Sequence, residues 1–119
     1  MGFTRISAFE QATFRGRGLW HPSGFTVTVL SHDDTADEPF DERRVGLDHL
    51  AFAVADRAEL EAWVAHLDQH GVEHSGIVEA HFGDTLVLRD PDRVQLELFL
   101  FNPHGRDLTE LVRTDPDRA

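Results

Sequence analysis

Glu97 stands in an awkward place for a carboxylate. It interrupts the apolar run VQLELFLF over residues 94–101. A charge there is costly unless it is paired, exposed or bound to a cation. His49 sits inside a second apolar run, VGLDHLAFAVA over 45–55. Imidazole together with carboxylate suits a divalent ion of intermediate hardness, such as Zn²⁺, Ni²⁺, Mn²⁺ or Fe²⁺. A catalytic ion takes about three protein ligands and keeps one position open. Two donors therefore fall short of a complete shell. His49 also reads simply as a hydrogen-bonded strand histidine.

Other chemistry-bearing residues give weaker patterns. His66 and His70 are four apart, with His74 just beyond. That spacing can hold a metal. However, Glu59, Ala62, His66 and His70 form the face away from Leu60, Trp63 and Leu67, which reads as a solvated face. His32 lies on the Thr28 side of its strand and is a candidate extra ligand. His81 falls in a loop where it could touch a ligand. The acids Asp33, Asp34, Asp37, Glu38, Asp41 and Glu42 read as a solvated linker. Gly16 and Gly18 open no helix, so no phosphate cradle is expected. Ser23 and Ser75 lie beside glycines but have no evident His–Asp relay.

Composition removes whole classes of function. The chain contains no Cys, so thiol nucleophiles, disulfides and cysteine zinc sites are excluded. All eleven basic residues are Arg, which excludes lysine Schiff bases. The net charge of −11 argues against nucleic acid and against anionic membrane surfaces. It favours small cationic ligands instead. No run approaches the ~18 apolar residues of a membrane span, and no secretory leader is visible. A cytoplasmic location is the expectation.

Elements must position these residues. Strands are expected near 3–9, 13–20, 25–30, 46–54, 76–80, 85–89 and 94–101. Leu60, Trp63, Val64 and Leu67 recur at helical spacing, which predicts a helix over 58–70. Asp56 reads as its N-cap, with Glu59 completing a capping box, and Gly71 as its stop. One or two helical turns are expected over 107–113. The organisation is a first segment with its acidic linker (1–44), a βαβββ segment (45–101) and a polar tail (102–119), within one structural domain.

The two halves repeat. Aligning His21-Pro22-Ser23-Gly24 with Asp90-Pro91-Asp92-Arg93 gives an offset of 69. Both turns have a strand before and after. The opening strand and helix of the second repeat then map before Met1, so the first repeat lacks them. A start upstream of Met1 would supply the missing piece.

The segment GLDHLAFAV–helix–Gly71-Val72–strand–TLVLRDPDRVQLELF resembles the second module of the vicinal oxygen chelate superfamily. That family includes glyoxalase I, the fosfomycin- and bleomycin-resistance proteins and the extradiol dioxygenases. The fold implied is α+β, with paired βαβββ modules, each an incomplete sheet curling round a cavity. The first module here lacks its opening strand and helix. By resemblance, His49 and Glu97 match the second-module metal ligands, and Glu97 either stays bound or acts as a catalytic base. The first-module carboxylate position falls on Thr28. Thr28, Phe99 and Phe101 would line the substrate cavity.

Three functions follow from this. The first is a divalent-metal-dependent lyase, isomerase or dioxygenase acting on a small molecule. The second is a metal-free protein that sequesters a cationic ligand, favoured by the charge and by Thr28. The third is a chain without independent activity, since Phe25, Val27 and Val29 would lack a cover. A symmetric homodimer would cover them and supply further ligands.

Overall fold

The structure is a computed structural model, and residues 2–80 and 83–105 are described. The expectations for His81 and for the helical turns over 107–113 lie outside the described residues. The chain divides into two compact units, Met1–Glu38 and Pro39–Ala119.

Unit 1 is a three-stranded antiparallel sheet of β1 (Thr4–Glu10), β2 (Phe14–Trp20) and β3 (Thr26–His32), in that order. It contains no helix among its described residues, and only Gly16 and Gly18 are buried. Gly16 is buried because two side chains cross it. A Cβ there would stand 2.5 Å from Phe9 Cζ and 2.6 Å from Leu30 Cδ2.

The other face of unit 1 has a different character. Strand register aligns Arg5 with Leu19 and Val27, and Ala8 with Arg17 and Val29. Arg15 follows on the same side by alternation. All three arginines of unit 1 thus share one face, and all are exposed. A groove of 370 Å³ includes Ala8, Arg15, Arg17 and Val29.

Unit 2 holds β4 (His49–Ala53), α1 (Arg57–Gln69), β5 (His74–Glu79), β6 (Gly83–Arg89) and β7 (Gln95–Phe101). The sheet order is β4-β7-β6-β5, and β4 runs parallel to β7. This is the βαβββ order read from the sequence.

The helix begins and ends for local reasons. Asp56 Oδ1 accepts from Glu59 N at 2.8 Å, and Glu59 Oε2 accepts from Ala55 N at 2.7 Å. The carboxylate thus reaches one residue further back than in a standard capping box. At the other end Val72 N donates to Leu67 O, and Gly71 N to Asp68 O. This is a Schellman closure, with Gly71 at φ +65°.

Leu60 and Leu67 from α1 meet Leu86, Leu98 and Leu100 from the sheet, all buried. Each such burial is worth roughly 2 kcal/mol. Unit 2 therefore carries its own core. In unit 1 the positions equivalent to Leu86 and Leu98 are Arg17 and Val29, and both are exposed.

The repeat is visible in the backbone. Adding 69 to the bounds of β2 and β3 gives those of β6 and β7. The turns match as well. His21 N donates to Phe25 O, as Asp90 N does to Val94 O. Gly24 and Arg93 both take positive φ, +89° and +72°.

Candidate functional site

The helix covers one face of the unit 2 sheet, and alternation assigns the other face. Register sets His49 beside Gln95 and Arg89, Ala51 beside Glu97 and Val87, and Ala53 beside Phe99 and Thr85. His49, Glu97, Phe99 and Phe101 therefore share the face turned away from α1. Glu97 and Phe99 are half-buried there, and Phe101 is 61% exposed. The Phe99 and Phe101 rings lie 6.2 Å apart.

His49 is held by its neighbour. Its Nδ1–H donates to Asp48 Oδ1 at 2.6 Å, which leaves Nε2 to carry the lone pair. Carboxylate-to-imidazole bonds of this kind orient histidine ligands and raise their basicity. The Asp48 hydrogen bond, aided by the charges of Glu97 and Asp48 and opposed by burial, holds His49 above the ordinary histidine value. The same carboxylates that attract a proton there would attract a dication.

Arg89 organises the end of this face. It donates to Glu42 at 2.7 Å and 3.2 Å, to Arg93 O at 2.8 Å and to Gln95 Oε1 at 3.3 Å. A groove of 820 Å³ includes Arg89, Gln95, His74 and Asp68. The acidic segment is partly tied down. Glu42 is bound to Arg89, and the Arg43 guanidinium holds Asp41 at about 2.

Thr28 belongs to unit 1, where it lies exposed on β3 opposite Gly18. It occupies the position in its repeat that Glu97 occupies in the other. His32 stacks against Phe14 at 5.4 Å. His74 opens β5 and has partners of its own. Its Nε2–H donates to Asp68 at 3.0 Å, and its Nδ1 accepts from Gly76 N at 3.0 Å.

Sequence reasoning missed a second cluster. Asp84 is fully buried, accepting from Arg57 Nη1 at 2.7 Å and bonded to His104 Nε2 at 3.0 Å. Glu79 lies 3.6 Å from Arg57. Among the described residues, Glu79, Asp84 and His104 form the group of three close potential metal donors. The Arg57 guanidinium already supplies the positive charge there, and the cluster reads as an ion-pair network. The signal was available, since Asp84 has the same strand parity as the buried Leu86.

His49 and Glu97 are donor types that suit a divalent ion and share one face of adjacent strands, and they number two of the roughly three ligands a catalytic ion takes.

Comparisons with known proteins agree with this architecture. Residues 1–98 match the model of the Glyoxalase/Bleomycin resistance protein/Dioxygenase superfamily. The chain is 31% identical over 122 residues to a Bacillus subtilis (strain 168) protein named "Putative ring-cleaving dioxygenase MhqA". The match takes in 96% of this chain and 38% of that relative's length. A glyoxylase/bleomycin resistance protein/dioxygenase domain from Frankia sp. EAN1pec superposes with a TM-score of 0.77 at 29% identity, covering 83% of this chain and 78% of that one. A glyoxalase family protein from Enterococcus faecalis shares the fold, with a TM-score of 0.68 at 24% identity over 82% and 78% of the two chains.

Proposed function

Because this chain belongs to the Glyoxalase/Bleomycin resistance protein/Dioxygenase superfamily, we propose that the open face of β4 and β7 is the small-molecule site of a metal-dependent enzyme. Ring-cleaving dioxygenase chemistry is the activity best supported, through the likeness to the Bacillus subtilis relative. The observation that carries the reading is the placement of His49 and Glu97 on one face of adjacent strands. His49 is already oriented there by Asp48.

His49 and Glu97 would hold the ion, chosen from Zn²⁺, Ni²⁺, Mn²⁺ and Fe²⁺. When bound, the ion supplies a positive centre that neutralises charge developing on two oxygens of one substrate. Asp48 would keep His49 in the tautomer that leaves the Nε2 lone pair to a ligand. Glu97 either stays bound or accepts a proton from the substrate at a carboxylate oxygen. Phe99 and Phe101 offer aromatic surface to an unsaturated or ring substrate. A second copy of the chain completes the ligand shell, so the working form is a homodimer, and its setting is the cytoplasm. No helix among the described residues is long and apolar enough to cross a membrane.

A metal-free binding protein for cationic ligands is the second reading. The net charge of −11 and Thr28 at the position equivalent to Glu97 favour it. Metal content decides between them. The protein is purified without chelator, offered Mn²⁺, Fe²⁺, Ni²⁺ and Zn²⁺ in turn, and compared with His49→Ala and Glu97→Ala. Stoichiometric Mn²⁺ or Fe²⁺ that both variants lose supports the enzyme. No His49-dependent ion under any condition overturns it.

A further inference from the structure

We propose a second, surface metal site for Cu²⁺, Ni²⁺ or Zn²⁺ formed by His66 and His70 at the C-terminal end of α1. The two residues are one turn apart, and their ring centroids are 4.3 Å apart with planes at 42°. Two imidazoles that share an ion must each bring a nitrogen to about 2 Å from it, and rings this close can do so. Histidines at i and i+4 on one helix face are a known way to share one ion.

The tautomer of His70 is set in advance. Its Nδ1–H donates to the His66 carbonyl at 2.8 Å. The Nε2 lone pair is therefore available, with the backbone carbonyl in the supporting role common behind ligating histidines. The ring of His66 stands edge-on to Trp63, with centroids 5.5 Å apart and planes at 87°. That contact limits its rotation. Both histidines are exposed, so water completes the ion's shell. Imidazole donors select Cu²⁺, Ni²⁺ and Zn²⁺ over Mg²⁺ and Ca²⁺, with Cu²⁺ held tightest. The net charge of −11 raises the local concentration of any dication.

This site is independent of the one on the open sheet face. His66 and His70 are exposed on α1, whereas Leu60 and Leu67 of the same helix are buried against the sheet. His49 and Glu97 occupy the sheet's opposite face.

Trp63 makes the test direct. Cu²⁺ is titrated into the full chain carrying Trp20→Phe, so that Trp63 alone reports by fluorescence. The expected result is saturable quenching. His66→Ala and His70→Ala should each weaken binding by at least the ~10-fold that loss of a supporting partner alone costs. His70→Gln should behave like His70→Ala, while His49→Ala should leave the midpoint unchanged. The proposal is overturned by absent quenching, by an unchanged midpoint in the His66→Ala/His70→Ala double variant, or by loss of quenching in His49→Ala. If the site holds, the same double variant lets ions at His49 be counted without those on α1.

Discussion

Arg57 Nη1 donates to Asp84 Oδ2 across 2.7 Å and ties the first turn of α1 to the start of β6. Asp84 has no solvent exposure, whereas the Arg57 side chain is 44% exposed. Burial pushes the Asp84 carboxyl up. The hydrogen bonds from His104 and Arg57, with their charges, outweigh burial and hold it below the ordinary value. A depressed carboxyl stabilises the fold fully above its unfolded value. That contribution is lost as pH falls through the folded value. Unit 2 is therefore expected to lose stability below pH about 4, and Asp84→Asn should flatten this acid limb in denaturant titrations.

Arg57→Ala removes one partner and leaves Asp84 buried with His104. Hydrogen bonds to charged groups are worth roughly 1.5–3 kcal/mol, and the exposure of Arg57 discounts this. A measurable loss of stability in chemical denaturation at neutral pH is expected.

Gly83→Ala should be costly. A Cβ there would lie 2.6 Å from Leu100 O and 2.6 Å from the Phe99 ring. The backbone oxygen cannot swing aside as a side chain can. Overpacking of this kind costs about 1–3 kcal/mol. Gly16→Ala meets only the ends of Phe9 and Leu30, so it should cost less. Comparing the two variants by thermal denaturation tests the order.

Arg93 takes φ +72°, where its repeat partner Gly24 takes +89°. A left-handed backbone costs a residue with a Cβ roughly 1–2 kcal/mol. Arg93→Gly keeps the carbonyl that accepts from Arg89. It should raise stability by about 1 kcal/mol, read from the denaturant midpoint at constant slope.

Asp48→Asn should weaken any ion held by His49 by ~10-fold or more, because it loosens the tautomer and lowers basicity. Metal titration of the variant, with the fold checked by circular dichroism, tests this separately from the ligands themselves.

Much of the fold was legible because its signals are local. Leu60, Trp63, Val64 and Leu67 marked the helix, and Asp56 and Gly71 marked its ends. The two turns, 69 residues apart, marked the repeat. The Asp84 network was harder to read, since it joins elements 20 and 27 residues apart. The pairing of Asp48 with His49 was hidden for the opposite reason. Neighbours in a strand point to opposite faces, and nothing in the sequence says that a carboxylate bends back to the next ring. His66 and His70 read as a solvated face. They are exposed, but the bond from His70 to the His66 carbonyl adds an order that composition does not reveal.

The arginine face of unit 1 makes the chain electrically uneven. Unit 1 has three arginines against five carboxylates, and all three lie on one side of its sheet. At distances beyond the ~8 Å screening length of physiological salt, an approaching anion meets little field of either sign. Closer in, it meets on that face three arginines and the carboxylate of Glu10, which lies opposite Arg15. Ionic strength therefore tunes which charge an approaching molecule feels, and the chain's net charge alone misstates what this sheet presents to its surroundings.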